Sequence, residues 1–309
     1  MPKKETLKEL LTREPVLAPC VFDCSSARAA ELAGFKALML SGAELSMSMN
    51  GLPDIGLLTL EELAWAVTRI TGSSPLPIAV DIEDGFGPST LHVYHTCERI
   101  AKAGAGAVLM EDEADPGFAR EVVQDNLLPR KDYMAKVKAA KAALEGTECM
   151  LIARTNVSIN TPEGLNEGIE RCLEALDAGA DMTVIIRLNS MKDAKTVSER
   201  VPGWKLFPDL NQNYGMPTMT ATELFPLGYR FITMHYMIKA AMAGMLEWGV
   251  QNFKDQSNVY SNDQKPFGVY GQSGMGFFRP QEWLNLEGSF TGKEPTKFKG
   301  VPMQKPEGK

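Results

Sequence analysis

Acidic side chains that could bind a divalent cation stand at the ends of two consecutive short apolar segments. Asp81 lies near the end of the segment 78–82, and Glu83 directly follows that segment. Glu111 follows the segment 107–110. Any one of these acids could simply be a solvated surface residue, since exposed carboxylates are common. Two clusters on neighbouring segments instead favour a site for Mg²⁺ or Mn²⁺, which take carboxylate, water and substrate oxygens as ligands.

Arg154 follows the next apolar segment, 150–153, and suits an anionic substrate. Its guanidinium presents a planar fork of donors that matches a carboxylate in two parallel hydrogen bonds. Other polar residues that end apolar segments are Asp23, Ser41, Arg187, Asp209, Asn211 and His235. Together they indicate metal-assisted binding of a small carboxylic acid.

Eight short apolar segments must position these residues, with helical patterns between them. They are residues 16–22, 37–40, 78–82, 107–110, 150–153, 183–186, 205–207 and 231–234. Each is too short for a buried helix and has the length of a buried strand. Eight such strands alternating with helices predict a (β/α)₈ TIM barrel, whose active site lies at the carboxyl ends of the strands.

Capping residues and glycines mark the predicted helix ends. Capping boxes begin at Thr59 and Thr220, and Thr161 precedes a proline at a helix start. Four glycines between a helical pattern and an apolar segment are expected to end helices in the left-handed conformation. They are Gly34, Gly104, Gly179 and Gly228.

Composition and charge exclude several classes of protein. The 309 residues are 44% hydrophobic and 23% charged, which is ordinary for globular chains and excludes a disordered or fibrous one. A net charge of −7 disfavours binding to nucleic acid or to an anionic membrane. Five cysteines without a CxxC pair, and no signal-peptide pattern at the start, predict a cytoplasmic protein. The most apolar late stretch, 231–250, is too interrupted by charge to span a membrane.

The composition changes after residue 250. Residues 1–250 are predicted to form the barrel, and residues 251–309, rich in Gly, Pro, Asn, Gln and aromatic residues, an irregular C-terminal extension. We expect that extension to wrap the barrel or a neighbouring subunit.

Six stretches resemble, in order and spacing, the isocitrate lyase/phosphoenolpyruvate mutase superfamily. They are FDCSSARAAELAGFKALMLSGAELS, GLPDIGLLTLEEL, AVDIEDGFG, GAGAVLMEDE, LIARTN and AGADM, and the match covers about residues 15–248. The resemblance implies a (β/α)₈ barrel that binds Mg²⁺ and a 2-keto or 2-hydroxy acid. It also implies cleavage or formation of a C–C or P–C bond, and a homotetramer built as a dimer of helix-swapped dimers through residues 238–250.

The resemblance assigns roles to individual residues. The implied metal ligands are Asp81, Glu83, which stands where a second Asp is usual, and Glu111. The implied catalytic residues are Asp54, which would reach the metal through water, and Arg154. The implied substrate-binding residues are Ser41, Gly42, Ala43, Arg154 and Asp209.

Several family motifs for lyase chemistry are missing from this chain. The KKCGH loop sequence, with its proposed acid, is absent after Glu111, and Met39 stands where the lyases place a tyrosine base. Ile186 replaces a glutamate, and the usual N-x-T-E segment begins at Asp209. The loop lysine of the mutases is also absent, and residues 116–120 are most similar to decarboxylase-like members.

These features predict a Mg²⁺-dependent carbon–carbon lyase that decarboxylates a small 2-keto dicarboxylate, oxaloacetate or an alkylated analogue, through a metal-held enolate. Decarboxylation needs no base for a hydroxyl proton, and water can supply the later proton. Three alternatives stay open. One is cleavage of a methylisocitrate or alkylmalate by acid and base groups of the extension, Tyr260 or Tyr270. The others are P–C bond chemistry on phosphonopyruvate and a non-catalytic binding protein.

Overall fold

Eight parallel strands close into a barrel in sequence order, with β8 paired back to β1. The strands are β1 (Val16–Val21), β2 (Leu38–Leu40), β3 (Ile78–Asp81), β4 (Ala107–Glu111), β5 (Met150–Thr155), β6 (Met182–Ile185), β7 (Trp204–Phe207) and β8 (Tyr229–Met234). The computed structural model describes residues 4–114, 126–210, 219–262, 274–295 and 297–298. The predicted (β/α)₈ barrel and its eight strands are confirmed, with bounds that differ by one or two residues.

Among the described residues, most helices lie between the strands, and three of them begin at the predicted caps. They are α1 (Leu7–Arg13), α2 (Cys24–Leu32), α3 (Gly42–Leu45), α4 (Leu60–Ser73), α5 (Thr90–Lys102), α6 (Arg130–Leu144), α7 (Pro162–Asp177), α8 (Met191–Arg200), α9 (Ala221–Leu224), α10 (Met237–Asp255), α11 (Val259–Asn262) and α12 (Pro280–Thr291). A π-helical turn, Ser46–Asn50, continues α3. The capping boxes at Thr59 and Thr220 and the cap at Thr161 are all present. The four predicted glycines all have positive φ angles.

The barrel strands are buried on both faces. Cys20, Met39, Leu109 and Leu206 belong to the cluster that fills the barrel interior. Two further clusters pack the outer faces of the strands against the helices. Burial on both faces explains why the strands read as continuous apolar segments rather than as alternating ones.

The chain divides into two compact units, Met1–Ile238 and Lys239–Lys309. The first unit contains the barrel and all the predicted site residues. The second contains most of α10, together with α11, α12 and a 3₁₀ turn, Met275–Phe278. The predicted boundary after residue 250 falls within α10 and stays a prediction. Within the described ranges, none of the helices has the length and apolar character that a membrane span requires.

Candidate active site

A pocket of about 220 Å³ opens at the carboxyl ends of the barrel strands. Its polar wall contains Ser41, Asp54, Asp81, Arg154, Thr233 and His235. Its floor contains Met39, Leu109 and Leu206, from the barrel interior. A second pocket, of about 430 Å³, shares Asp54 with the first and is also lined by Glu83. The barrel topology therefore gathers most of the predicted site residues at one rim.

Arg154 bridges two of the predicted metal ligands. Its Nη2 lies 2.9 Å from Oε2 of Glu111, and its Nη1 lies 3.3 Å from Oδ2 of Asp81. The pairing follows from strand register, because Arg154 on β5 lies directly opposite Glu111 on β4. Glu111 is fully buried, and the side chains of Arg154 and Asp81 are only 14% and 13% exposed. The sequence predicts that Arg154 binds substrate, whereas here its guanidinium lies between two carboxylates.

Glu83 occupies a turn with an unusual backbone. Its φ angle is +51°, a region that residues other than glycine rarely adopt. Its backbone N–H donates to Oδ1 of Asp81 at 3.0 Å, and its backbone carbonyl accepts from Glu111 at 2.9 Å. Its carboxylate lies against Gly42, where an added Cβ would be only 2.1 Å from Oε1. Glycine at position 42 is thus needed for this approach of an acid to the segment after Ser41.

A buried hydrogen-bond network holds the acidic side chains at the end of β4. Asn156 donates from Nδ2 to Glu111 at 3.0 Å and to Glu113 at 2.6 Å. Asp112 accepts from Thr155 at 2.6 Å and from the backbone N–H of Asn156 at 2.8 Å. Burial raises the pKa of Asp112, and the hydrogen bonds from Thr155 and Asn156 oppose that rise. Sequence reasoning used only the arginine of the LIARTN stretch and missed Asn156.

The predicted metal ligands supply hard oxygen donors of the kind that a divalent cation prefers. Asp81 and Glu111 approach one another closely enough to share a single guanidinium. Within the described ranges, however, no group of three or more His, Cys, Asp or Glu side chains is gathered as in a formed metal site. The donor chemistry fits a cation that competes with Arg154 for Asp81 and Glu111.

The remaining predicted residues lie around the same rim. Ser41 caps α3, and its Oγ accepts from the backbone N–H of Glu44 at 3.4 Å. Ala43 lines the pocket, and Gly42 lies between these two residues. Asp209 follows β7, and its Oδ1 accepts from the backbone N–H of His235 at 3.3 Å. The structure thus brings together the predicted substrate-binding residues, whose roles stay predictions.

His235 is a pocket residue to which the sequence pattern assigns a strand end but no role. Its Nε2 lies 3.4 Å from Sγ of Cys20, and its Nδ1 lies 3.5 Å from Oε1 of Glu44. Its side chain is 39% exposed, while the side chain of Glu44 is 3% exposed. Burial lowers the pKa of His235, but Cys20, Glu44 and Asp209 outweigh burial and raise that pKa above its usual range. Of these groups, Glu44 is the carboxylate that contacts the ring directly, and its charge favours the protonated imidazole.

Three parts of the sequence interpretation fall outside the described residues. The loop stretch 116–120, the end of the segment that begins at Asp209, and Tyr270 all belong to ranges that the structure does not describe. Met39 and Ile186 are described, and both line the pocket. The positions of the missing lyase tyrosine and glutamate are thus occupied by apolar side chains at the site itself.

Comparisons with known proteins agree with the fold. The family model described as phosphoenolpyruvate phosphomutase matches residues 7–251. The chain is 30% identical to 2,3-dimethylmalate lyase of Eubacterium barkeri over 224 residues, 72% of this chain and 76% of the relative. It is 34% identical to oxaloacetate decarboxylase 2 of Pseudomonas fluorescens over 208 residues, 67% and 68% of the two chains. A solved structure of 2,3-dimethylmalate lyase superposes with a TM-score of 0.81 at 27% identity, covering 92% of this chain and 97% of that one.

Proposed function

Because the chain belongs to the phosphoenolpyruvate phosphomutase family, within a superfamily of lyases and mutases, we propose that it decarboxylates a small 2-keto dicarboxylate. Oxaloacetate or an alkylated oxaloacetate is the proposed substrate, and a divalent cation, Mg²⁺ or Mn²⁺, the proposed cofactor. The observation that supports this most is the content of the 220 Å³ pocket, where Arg154, Asp81 and His235 face one small space. Such a pocket offers an anion-binding group, a cation ligand and a proton donor.

Substrate binding is assigned to two sides of the pocket. Arg154 would hold one carboxylate in a bidentate pair once a cation engages Asp81 and Glu111 in its place. The segment from Ser41 to Ala43 would hold the keto-acid end, since Ser41 and Ala43 line the same pocket. Asp209 would act indirectly, since it holds the backbone of His235.

The cation is assigned to the carboxylates of Asp81, Glu83 and Glu111. Asp54 lines both the pocket that contains Asp81 and the pocket that contains Glu83. When bound, a divalent cation withdraws electrons from the keto oxygen and the carboxylate beside it. Asn156 holds Glu111 for this role through a hydrogen bond. Glu83 is held by its turn, which places its carboxylate against Gly42. These contacts fix the oxygen donors before any ligand arrives.

Decarboxylation breaks the bond between the β-carbon and its carboxylate, and CO₂ leaves. The electron pair of that bond forms the enolate of the remaining 2-keto acid, and a proton must then reach the β-carbon. His235 is the proposed donor because its ring faces the pocket and the Glu44 carboxylate, 3.5 Å from its Nδ1, favours its protonated form. The apolar Met39 and Ile186 offer no base for a hydroxyl proton, so hydroxy-acid cleavage is less well supported.

The proposed setting is the cytoplasm, where thiols stay reduced. All five cysteines are free, and four of them are buried. A homotetramer is also proposed. It is supported by apolar side chains of α10 that are 57% to 68% exposed, namely Met242, Met245, Leu246 and Val250.

The test measures the release of CO₂ from oxaloacetate by the protein, once with Mg²⁺ and once with a chelator. The rate with Mg²⁺ and no protein is subtracted. We expect turnover that depends on metal and falls by about 10²–10⁴-fold in His235→Gln, the range for loss of a general acid. His92→Gln is the matched control, because His92 is exposed on α5 and its Nδ1 bonds to the neighbouring Ser89. A His235→Gln variant as active as the control would remove His235 from the mechanism.

A further inference from the structure

Three residues from distant parts of the chain meet behind the pocket wall. Cys20 comes from β1, Glu44 from α3, and His235 follows β8. Cys20 and Glu44 lie on the two nitrogens of the same imidazole, at 3.4 Å and 3.5 Å. His235 alone of the three lines the pocket. The cluster thus joins one pocket residue to two buried groups that have no other assigned role.

Burial of the charged Glu44 side chain is energetically unfavourable. Glu44 is 2% exposed, and its Oε2 has no hydrogen-bond partner among the described residues. A buried carboxylate without a compensating partner is strongly destabilising, so such groups persist where a cation faces them. Among the described contacts of Glu44, the ion pair to His235 supplies that cation. Simple packing does not explain a charged side chain at this position.

Cys20 contacts the other ring nitrogen of His235, Nε2, as an uncharged thiol. It is fully buried in the barrel interior. Burial raises the pKa of the Cys20 thiol, and His235 opposes that rise only in part, so the thiol is neutral near pH 7. The charge partner of His235 at this contact is therefore Glu44 rather than Cys20.

We propose that Glu44 is a positioning residue, whose buried carboxylate holds the ring of His235 as an imidazolium turned toward the pocket. The pairing itself rests on the contacts above, and its consequence for proton transfer rests on the proposed function. The pair resembles the base and orienting acid of other catalytic constellations, where a carboxylate fixes an imidazole. Here the fixed form is the protonated one, which suits an acid that donates to carbon.

The other groups that face His235 set the sign of the expected effect. Asp209 lies at its backbone, and Asp54, Asp81 and Arg154 lie around the same pocket. Removing the charge of Glu44 leaves these unchanged and takes away one anion at 3.5 Å. The protonated form of His235 then loses stabilisation, so its pKa must fall. An opposite charge at this distance moves a pKa by about 1–3 pH units.

The chain has three histidines, so their ring signals can be followed by NMR in the intact protein. We expect His235 to titrate above His92 and His95 in the wild type, and at least about one pH unit lower in Glu44→Gln. His92 and His95 should not move. Glu31→Gln is the matched control, since Glu31 also has a buried carboxylate oxygen but pairs with Arg28 on α2. It should leave His235 unchanged.

Two results would overturn the proposal. One is a His235 pKa that is the same in Glu44→Gln and wild type. The other is a wild-type His235 that titrates at or below the two surface histidines, which needs no variant and so covers a Glu44→Gln chain that fails to fold. Glu44→Asp, which keeps the charge on a shorter side chain, should restore part of the shift.

Kinetics separate this inference from the proposed function. In Glu44→Gln the alkaline limb of kcat should move to lower pH by the same amount as the NMR shift, with KM changed by less than about threefold. An NMR shift without that movement would keep Glu44 as the partner of His235 and remove His235 as the donor. A wild type with no decarboxylase activity would sink the proposed function, and the NMR titration would still decide the pairing.

Discussion

Replacing Arg154 is expected to strengthen Mg²⁺ binding and to lower kcat/KM. In Arg154→Gln the guanidinium that lies between Glu111 and Asp81 is lost. Glu111 is fully buried, and removing one partner of a buried pair costs about 3–5 kcal/mol. For a unit of this size that corresponds to a fall in Tm of about 6–20 °C without metal.

Added Mg²⁺ should recover part of this loss. In the wild type a cation must compete with the guanidinium for both carboxylates, whereas in the variant it does not. Saturation at a hundredfold excess over Kd contributes about 2.7 kcal/mol. We therefore expect a larger gain in Tm on adding Mg²⁺, and a lower Kd for Mg²⁺, in Arg154→Gln than in the wild type. The value of kcat/KM should fall by about 30-fold to several thousandfold, because a substrate carboxylate loses its bidentate partner.

Scanning fluorimetry and calorimetry with Mg²⁺ measure the first two quantities. Arg187→Gln is the matched control: Arg187 is exposed at the next strand end, and its Nε donates to the carbonyl of Asn156 at 3.0 Å. The control should change neither Tm nor the Kd for Mg²⁺ appreciably. An Arg154→Gln variant with unchanged Tm, or with weaker Mg²⁺ binding, would refute the idea that Arg154 bridges Asp81 and Glu111 and competes with Mg²⁺ for them.

Further outcomes follow from the other site residues and from the surface. Asp81→Ala and Glu111→Ala should each abolish turnover and weaken Mg²⁺ binding in calorimetry; near-normal activity at low Mg²⁺ would remove either residue from the ligand set. Gly42→Ala places a Cβ 2.1 Å from Oε1 of Glu83, so Mg²⁺ affinity should fall at least about tenfold, while Gly72→Ala, with open space around it, should leave affinity unchanged. Sedimentation should give a mass well above the 33.8 kDa of one chain, and a stable monomer would contradict the proposed tetramer.

The fold was predictable from the sequence because each strand is buried on both faces. The predicted strand bounds differ from the observed bounds where strand hydrogen bonding continues into polar residues. Glu111 ends β4, and Arg154 and Thr155 end β5, although apolar patterning stops before them. A parallel barrel forces these strand-end side chains onto one rim, which is why the acids and Arg154 could be grouped from the sequence alone.

The partners of those side chains were not predictable. Glu44 lies in a short helix among small and apolar residues, and its role depends on His235, which is distant in sequence and follows a different strand. Asn156 was likewise passed over, because its contacts to Glu111 and Glu113 depend on how β4 and β5 end relative to one another. Pairings of this kind follow from side-chain geometry, which patterns of residue type do not contain.

Decarboxylation is tested most directly by comparing substrates under one set of conditions. With Mg²⁺ present and the non-enzymatic rate subtracted, kcat/KM is measured for oxaloacetate, 3-methyloxaloacetate, 2,3-dimethylmalate and methylisocitrate, with products identified by NMR. The proposed function predicts CO₂ and a 2-keto monoacid from an oxaloacetate, with the two hydroxy acids at least about a hundredfold less efficient, since Met39 and Ile186 supply no base for a hydroxyl proton. Cleavage of either hydroxy acid at a comparable kcat/KM would contradict it.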